Sequence, residues 1–314
     1  MSDRKAGVLL LTQPQAPELF SAALASLLPG VPIWADTADA DPEHVAAILA
    51  WRLKAGMVAP YANLRLVCAT AAGVEKITDA PDLAPHVAVM RVVDPLVNTG
   101  LGQYVLLMAW RHLRALALFE AQQRAHDWTR HRPPDPYSVT GTVLGLGEAG
   151  RTIAHALQVA GFDVRGWSRS PKTLAELTTF AGAAGLAPAL RDVQYVVCAL
   201  PLTAETRGLL DRRTLSLLPR GAYVINVARG GHLVEADLVP ALDSGQLSGA
   251  VLDVFREEPL PPNHPFWRHP RILVTPHIAA ETHPPTAAGI IGNAIRRFEA
   301  GLPVANVVDL SRGY

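Results

Sequence analysis

Three segments far apart in the chain each place one chemically capable side chain just beyond an apolar run. Arg229 follows VINVA, Glu258 stands before Pro259 in LDVFREEPLP, and His277 follows Thr275-Pro276 in ILVTPHIAAET. An imidazole ordinarily titrates at about 6.5, so it can give or take a proton near neutral pH. A neighbouring carboxylate favours its protonated form, and a guanidinium grips a carboxylate or carbonyl oxygen with a planar fork that a lysine point charge lacks. Arg229, Glu258 and His277 together suit the protonation of an oxygen that is becoming an alkoxide on an anionic substrate. Each has a plainer alternative: a strand-end cap for His277, a loop charge beside Glu257 for Glu258, and an ion pair with a surface acid for Arg229.

A second pattern supplies a reductant. Residues 139–150 read VTGTVLGLGEAG, so Gly145, Gly147 and Gly150 form G-x-G-x-x-G after an apolar strand and before a helix carrying Ile153, Ala154 and Leu157. The first glycine allows the tight turn, the second lets a pyrophosphate approach the backbone, and the third lets helix and strand pack closely. Glu148 and Ala149 open the helix whose N-terminus faces the anion. The strand-turn-helix context makes this a dinucleotide site rather than a bare structural turn. In an NAD-preferring site the next strand ends in Asp or Glu. Here FDVRGW ends in Ser168, Arg169, Ser170, Pro171 and Lys172, while Asp163 sits at the strand's beginning. Cations and hydroxyls without a carboxylate suit a 2′-phosphate, so NADPH is favoured over NADH. A solvated basic loop is the alternative.

The elements that would position these residues follow from periodicity. Apolar runs at 7–13, 31–35, 46–51, 64–70 and 87–92, with helical spacing over 17–28, predict strands alternating with helices and hence a parallel sheet covered on both faces. From Leu101 to Arg124 no breaker follows Gly102, which predicts one continuous helix linking two units. After a polar loop with three prolines the alternation resumes. Strands are expected at 139–146, 163–167, 193–200, 222–228, 249–254 and 272–275, helices at 150–160, 211–218 and 235–243, and ordinary helix and loop over the Ala-rich 181–190. A last helix with Ile291, Ile295 and Phe298 at helical spacing returns to the first unit. The expected class is α/β with two doubly wound parallel-sheet domains: 1–100 plus 283–314, and 101–282. The carboxyl ends of parallel strands line one crevice, so the three catalytic candidates can converge there.

Composition narrows the function classes. Over 314 residues, 28 Lys and Arg balance 28 Asp and Glu, so no net field favours nucleic acid or an anionic membrane. With 49% hydrophobic and 18% charged residues the chain is not disordered. No apolar stretch reaches the roughly 18 residues of a bilayer span. Cys68 and Cys198 lie in apolar stretches typical of buried thiols in a reducing compartment, and a soluble, cytoplasmic protein is expected. No His and Cys spacing resembles a metal site, and the other ten histidines read as structural or surface residues.

With these residues in view, the sequence resembles the D-isomer-specific 2-hydroxyacid dehydrogenases, and within them the glyoxylate/hydroxypyruvate reductase A branch. The resemblance runs through ATAAGVEKI (69–77), the glycine turn, ALPLTAETRGLL (199–210), INVARGG (225–231), LDVFREEPLPPNHPFW (252–267), TPHIAAET (275–282) and the terminal SRGY. It implies a flavodoxin-like substrate domain built from both chain ends, a Rossmann coenzyme domain, a homodimer and a small 2-oxo acid substrate. By matching motif it implies further cofactor contacts at Leu200, Pro201, Thr206, Val227 and Asp253. It also implies substrate contacts at the backbone of Gly73 and Val74 and at Trp51, which as a plain structural residue would be a core-edge aromatic. The chain departs from the family pattern at Ala71-Ala72, at Gln103 before Tyr104-Val105, and in Arg52–Gly56. The expected reaction is NADPH-dependent reduction of glyoxylate and hydroxypyruvate. A reductase of a larger 2-oxo acid and a dinucleotide-sensing binding protein are the competing readings.

Overall fold

The computed structural model describes residues 6–132 and 134–310; the terminal SRGY motif lies outside them. The chain divides into two compact units, Met1–Val97 with Thr282–Tyr314, and Asn98–Glu281.

The first unit opens with β1 (Gly7–Leu11), α1 (Glu18–Leu27), β2 (Ile33–Trp34), β3 (Val45–Ala50), β4 (Leu66–Ala69), a short α2 (Glu75–Thr78) and β5 (Ala88–Met90). The strands form one parallel sheet in the order β2-β1-β3-β4-β5. Every residue of β3 is buried, as expected of a central parallel strand covered on both faces.

The chain then enters α3 (Pro95–Leu113) and α4 (Leu116–Ala125). The single helix expected over 101–124 is therefore two helices, the first beginning at Pro95, whose fixed φ suits a first helical turn. The break falls at Ala115, which takes a left-handed φ of 53°. That conformation costs an alanine about 1 kcal/mol or more, and nothing in the local sequence signals it.

The second unit continues with β6 (Thr140–Leu144), α5 (Glu148–Val159), β7 (Asp163–Ser168), β8 (Thr178–Ala181), α6 (Gly182–Leu190), β9 (Tyr195–Cys198), α7 (Arg212–Leu215), β10 (Ala222–Asn226), α8 (Glu235–Asp243), β11 (Leu247–Leu252) and β12 (Ile272–Val274). All seven strands are parallel, in the order β12-β11-β10-β9-β6-β7-β8. The edge strand β8 is not among the expected elements, and the expected helix 211–218 shrinks to one turn capped by Asp211. Alternate residues of β10 and β11 point to opposite cores: Val224, Ala250 and Leu252 to one, Ile225 and Val251 to the other. Finally α9 (Pro284–Glu299) returns to the first unit, burying Ala287, Ile291 and Ile295 in the same cluster as Phe20 and Leu24 of α1.

At the amino edge of the second sheet a histidine is locked in its neutral form. His112 Nδ1 lies 2.7 Å from the Tyr195 hydroxyl and Nε2 lies 3.1 Å from Ser248 Oγ, while the ring stacks on Tyr223 at 3.9 Å. Burial lowers its pKa to about 4. The unfolded chain, with an ordinary imidazole, takes up this proton first as the pH falls. Stability is therefore full above about 6.5 and is lost as the pH drops towards 4. We expect acid titration over this window to remove on the order of 2 kcal/mol of unfolding free energy, and His112→Gln to flatten that part of the profile. Urea unfolding at several pH values measures it; identical slopes in both proteins would contradict it.

Candidate active site

The strand order of the second unit reverses between β6 and β9, and the carboxyl ends beside such a switch point form a crevice for ligands. The glycine turn follows β6, Ser168–Lys172 follow β7, and Leu200-Pro201 follow β9. On the same edge Asn226, Leu252 and Val274 stand abreast at the ends of β10, β11 and β12. Arg229, Asp253, Glu258 and His277 are therefore carried out of one line of strand ends.

Two of the three catalytic candidates meet directly. His277 Nδ1 lies 2.9 Å from Glu258 Oε2, with side-chain exposures of 36% and 30%. The other carboxylate oxygen, Oε1, accepts the Phe255 N–H at 3.0 Å, which fixes the turn 255–258 around the pair. His277 itself has a left-handed φ of 56°. Its N–H donates to the Asp253 carbonyl at 2.8 Å. The Asp253 carboxylate is 1% exposed and accepts from Thr275 Oγ1 at 2.6 Å and from the N–H groups of Ile278 and Ala279 at 2.9 Å each.

Arg229 is brought to the same region by its backbone. A Cβ on Gly230 would lie 1.9 Å from the Phe255 carbonyl carbon, so only glycine lets the Arg229 loop press against the turn that carries Glu258. The guanidinium donates to the Ala228 carbonyl at 2.7 Å, and the Arg229 carbonyl accepts from Asn226 Nδ2 at 3.1 Å.

The phosphate-binding turn shows a clear division among its glycines. Gly145 has φ 103°, and a Cβ there would lie 2.6 Å from the Ala199 carbonyl oxygen, so the turn fits against the end of β9. A Cβ on Gly150 would lie 1.7 Å from the Gly145 carbonyl oxygen, whereas at Gly147 it would meet nothing within 4 Å. Gly147 caps α5 with no side-chain hydrogen bond, leaving the first-turn N–H groups of Glu148, Ala149 and Gly150 facing that open space. An uncapped helix N-terminus beside an open backbone fits the pyrophosphate of a dinucleotide. Glu148 pairs with Arg151 on the helix surface.

Beyond β7 the four 2′-phosphate candidates make local contacts. Ser168 Oγ donates to the Ser170 carbonyl at 2.8 Å, and Lys172 Nζ to the Leu146 carbonyl, inside the glycine turn, at 2.7 Å. Arg169 Nη1 lies 3.6 Å from Glu205 Oε2. Asp163, at the other end of β7, is exposed. Leu200 and Thr206 are buried, Thr206 Oγ1 donating to the Pro201 carbonyl at 2.7 Å, and Val227 donates its N–H to the Cys198 carbonyl at 3.3 Å.

The remaining candidates belong to the first unit. Trp51 follows β3, half-buried, with Lys76 Nζ 5.2 Å from its ring centre. Gly73 and Val74 precede α2, and neither N–H is spent on a backbone carbonyl among the described residues. Cys68 and Cys198 are free and buried.

Sequence reasoning missed two residues close to the site. His232 is fully buried, with Nδ1 3.0 Å from the Arg229 carbonyl and Nε2 3.2 Å from the Pro201 carbonyl. Burial pulls its pKa down, but the Cys198 sulfur and these carbonyls outweigh burial and raise it. Tyr104 of α3 lies with its hydroxyl 2.5 Å from Thr275 Oγ1. In the sequence it stands on an apolar helix, beside the Gln103 departure from the family pattern, with nothing to tie it to Thr275.

Comparison with known proteins identifies the family. Residues 106–279 match the family model described as the NAD binding domain of D-isomer specific 2-hydroxyacid dehydrogenase. The chain is 42% identical, over 274 residues covering 85% of it and 87% of the relative, to glyoxylate/hydroxypyruvate reductase A of Serratia proteamaculans. Among solved structures it is similar to a D-isomer specific 2-hydroxyacid dehydrogenase from Xanthobacter autotrophicus in complex with NADPH and MES, with a TM-score of 0.94 and 41% identity, covering 99% of this chain and all of the other. It is also similar to the NADPH-dependent glyoxylate/hydroxypyruvate reductase of Sinorhizobium meliloti in complex with NADP and sulfate, with a TM-score of 0.93 and 35% identity over 99% and 100% of the two chains.

The glycine geometry separates folding from binding. Gly150→Ala should cost about 3 kcal/mol of unfolding free energy because two backbones must part. Gly147→Ala, at an ordinary φ in open space, should change stability by less than about 1 kcal/mol, because the entropy gain of alanine offsets its poorer capping of α5. Denaturant titration of both variants checks this, and equal losses would contradict the assignment of Gly147 to a ligand-facing position.

Proposed function

Because the chain belongs to the D-isomer specific 2-hydroxyacid dehydrogenase family, we propose that it reduces glyoxylate to glycolate and hydroxypyruvate to D-glycerate, with NADPH preferred over NADH. The observation that carries this reading is the 2.9 Å contact between His277 Nδ1 and Glu258 Oε2. The carboxylate accepts the Nδ1 proton, so Nε2 is the nitrogen left to face a substrate.

The glycine turn would hold NADPH by its pyrophosphate, and the cofactor would supply the hydride that reduces the 2-oxo carbon. The chain's own residues manage the charges. His277 gives its Nε2 proton to the oxygen as it becomes an alkoxide, while Glu258 orients the ring and balances its positive charge. Arg229 holds the substrate's carboxylate and carbonyl oxygen with its planar fork. Gly145, Gly147, Glu148, Ala149 and Gly150 take the pyrophosphate, and Ser168, Arg169, Ser170 and Lys172 take the 2′-phosphate after giving up their local partners. Leu200, Pro201, Thr206 and Val227 contact the cofactor. A carboxylate has about four acceptor sites, so Asp253 retains one for a carboxamide after its three loop donors. We propose Trp51 and the N–H groups of Gly73 and Val74 as further substrate contacts on the strength of the motif resemblance. The NADPH-complexed neighbour and the curated relatives' names support both cofactor and substrate class.

The working form in this reading is a cytoplasmic homodimer. Two buried free thiols suit a reducing compartment. No helix among the described residues is long and apolar enough to cross a membrane. Leu107, Leu116, Leu118, Phe119 and Tyr137 are exposed in the second unit, and Trp128 is 94% exposed. Apolar surface of this kind supports association with a second copy.

Two measurements test the proposal. Purified protein should consume NADPH when given hydroxypyruvate or glyoxylate, faster than it consumes NADH, and His277→Ala should lower turnover by roughly 10² to 10⁴ with cofactor affinity nearly intact. No turnover with either acid, or full turnover in the variant, would contradict it. Light scattering should give twice the 33.6 kDa of one chain, and Trp128→Asp should shift the protein towards monomer. A monomeric parent protein would remove the dimer.

A further inference from the structure

His277 is held in a conformation that its own sequence does not favour. A left-handed φ is uncommon on a non-glycine residue, and at His277 the surrounding hydrogen bonds hold it. Those surroundings trace to one buried carboxylate. Asp253 offers its carbonyl to the His277 N–H, and its two carboxylate oxygens collect the Thr275 hydroxyl and the N–H groups of Ile278 and Ala279. The strained residue is thus pinned from both sides.

The order of protons in this network is fixed by donor counting. Thr275 Oγ1 carries one proton, and an ionised Asp253 can only accept, so the hydroxyl donates across the 2.6 Å contact. The Tyr104 hydroxyl, 2.5 Å away, must then donate to Thr275 Oγ1. Burial, opposed by the Thr275 hydrogen bond and aided by the Asp253 charge, raises the phenol's pKa to about 12, so it keeps its proton. Tyr104 comes from α3, 171 residues earlier in the chain than Thr275. The ionisable groups on the elements around the turn are Asp253, Arg256, Glu257 and Glu258 beyond β11, Arg229 beyond β10, Tyr104 on α3 and Glu281 on the same segment.

We propose that Tyr104 is a positioning residue for His277: its hydroxyl, donated to Thr275, completes the grip of Asp253 on the left-handed turn and so keeps the imidazole registered on Glu258. The proposal rests on the reading of His277 as proton donor. It goes beyond that reading in giving α3 a part in holding the acid in place. Tyr104 touches neither substrate nor reacting atoms in this account; it acts through Thr275 and Asp253.

A double-mutant cycle on the full-length enzyme tests it, with hydroxypyruvate and NADPH. Tyr104→Phe keeps the ring but leaves Thr275 without a donor, and should lower kcat about tenfold with KM for NADPH unchanged within about twofold. In a Glu258→Gln background, where the carboxylate register is already lost, the same change should cost less than about twofold. Thr275→Ser should retain parental kcat, whereas Thr275→Val, which also takes a donor from Asp253, should cost at least as much as Tyr104→Phe; if Tyr104→Phe does not fold, parental kcat in Thr275→Val overturns the proposal. An unchanged kcat in Tyr104→Phe, or an equal loss in both backgrounds, would overturn the proposal, since packing alone predicts additivity. His277→Ala run alongside separates the two readings. If it is impaired at least 100-fold while Tyr104→Phe is silent, only the role of Tyr104 fails; if it turns over at the parental rate, the proton-donor reading and this proposal fail together.

Discussion

The candidate chemistry depends on one buried carboxylate. Asp253 sits one residue beyond β11, is 1% exposed, and gathers four hydrogen bonds from the segment 275–279 through its side chain and carbonyl. A buried carboxylate without donors would be unfavourable by several kcal/mol, so burial and saturation go together. The same bonds that satisfy Asp253 hold His277 in the left-handed region and face its Nδ1 towards Glu258. Local backbone strain is thereby balanced by a polar network rather than by apolar packing.

The parallel sheet makes this economical. In a seven-stranded sheet with every strand running the same way, all the carboxyl ends share one edge, so loops remote in sequence become neighbours without long excursions. Arg229 needs three residues beyond β10, and His277 three beyond β12. The switch between β6 and β9 puts the glycine turn on the same edge, with Gly145 pressed on Ala199 and Gly147 open. Rigid strands carry the groups, and short turns aim them.

Much of this was legible in the sequence because it rests on local steric rules. Gly145 and Gly150 could be assigned from spacing, since backbone contact at their Cβ positions leaves no other residue type. The Arg, Glu and His could be placed because each follows an apolar run that reads as a strand, buried in β10 and β11 and half-buried at the edge strand β12. Legibility ended where partners are distant. Nothing in ILVTPHIAAET announces that Thr275, Ile278 and Ala279 spend their donors on a residue more than twenty positions earlier, or that Tyr104 completes the set. The break at Ala115 was hidden because alanine is a strong helix former, and the edge strand β8 because TTFA is too short to show a period. The local bonds of Ser168 and Lys172 were equally invisible, since a loop's internal contacts do not follow from its composition.

In the proposed mechanism Glu258 holds one nitrogen of His277 so that the other is presented to the substrate. A crystal structure of the enzyme with NADP and oxalate, a non-reacting anion shaped like a 2-oxo acid, tests it most directly. An oxalate oxygen should lie about 3 Å from His277 Nε2, within hydrogen-bond reach, with the Nδ1 contact to Glu258 kept. Oxalate bound elsewhere, with Nε2 facing only solvent, would contradict it.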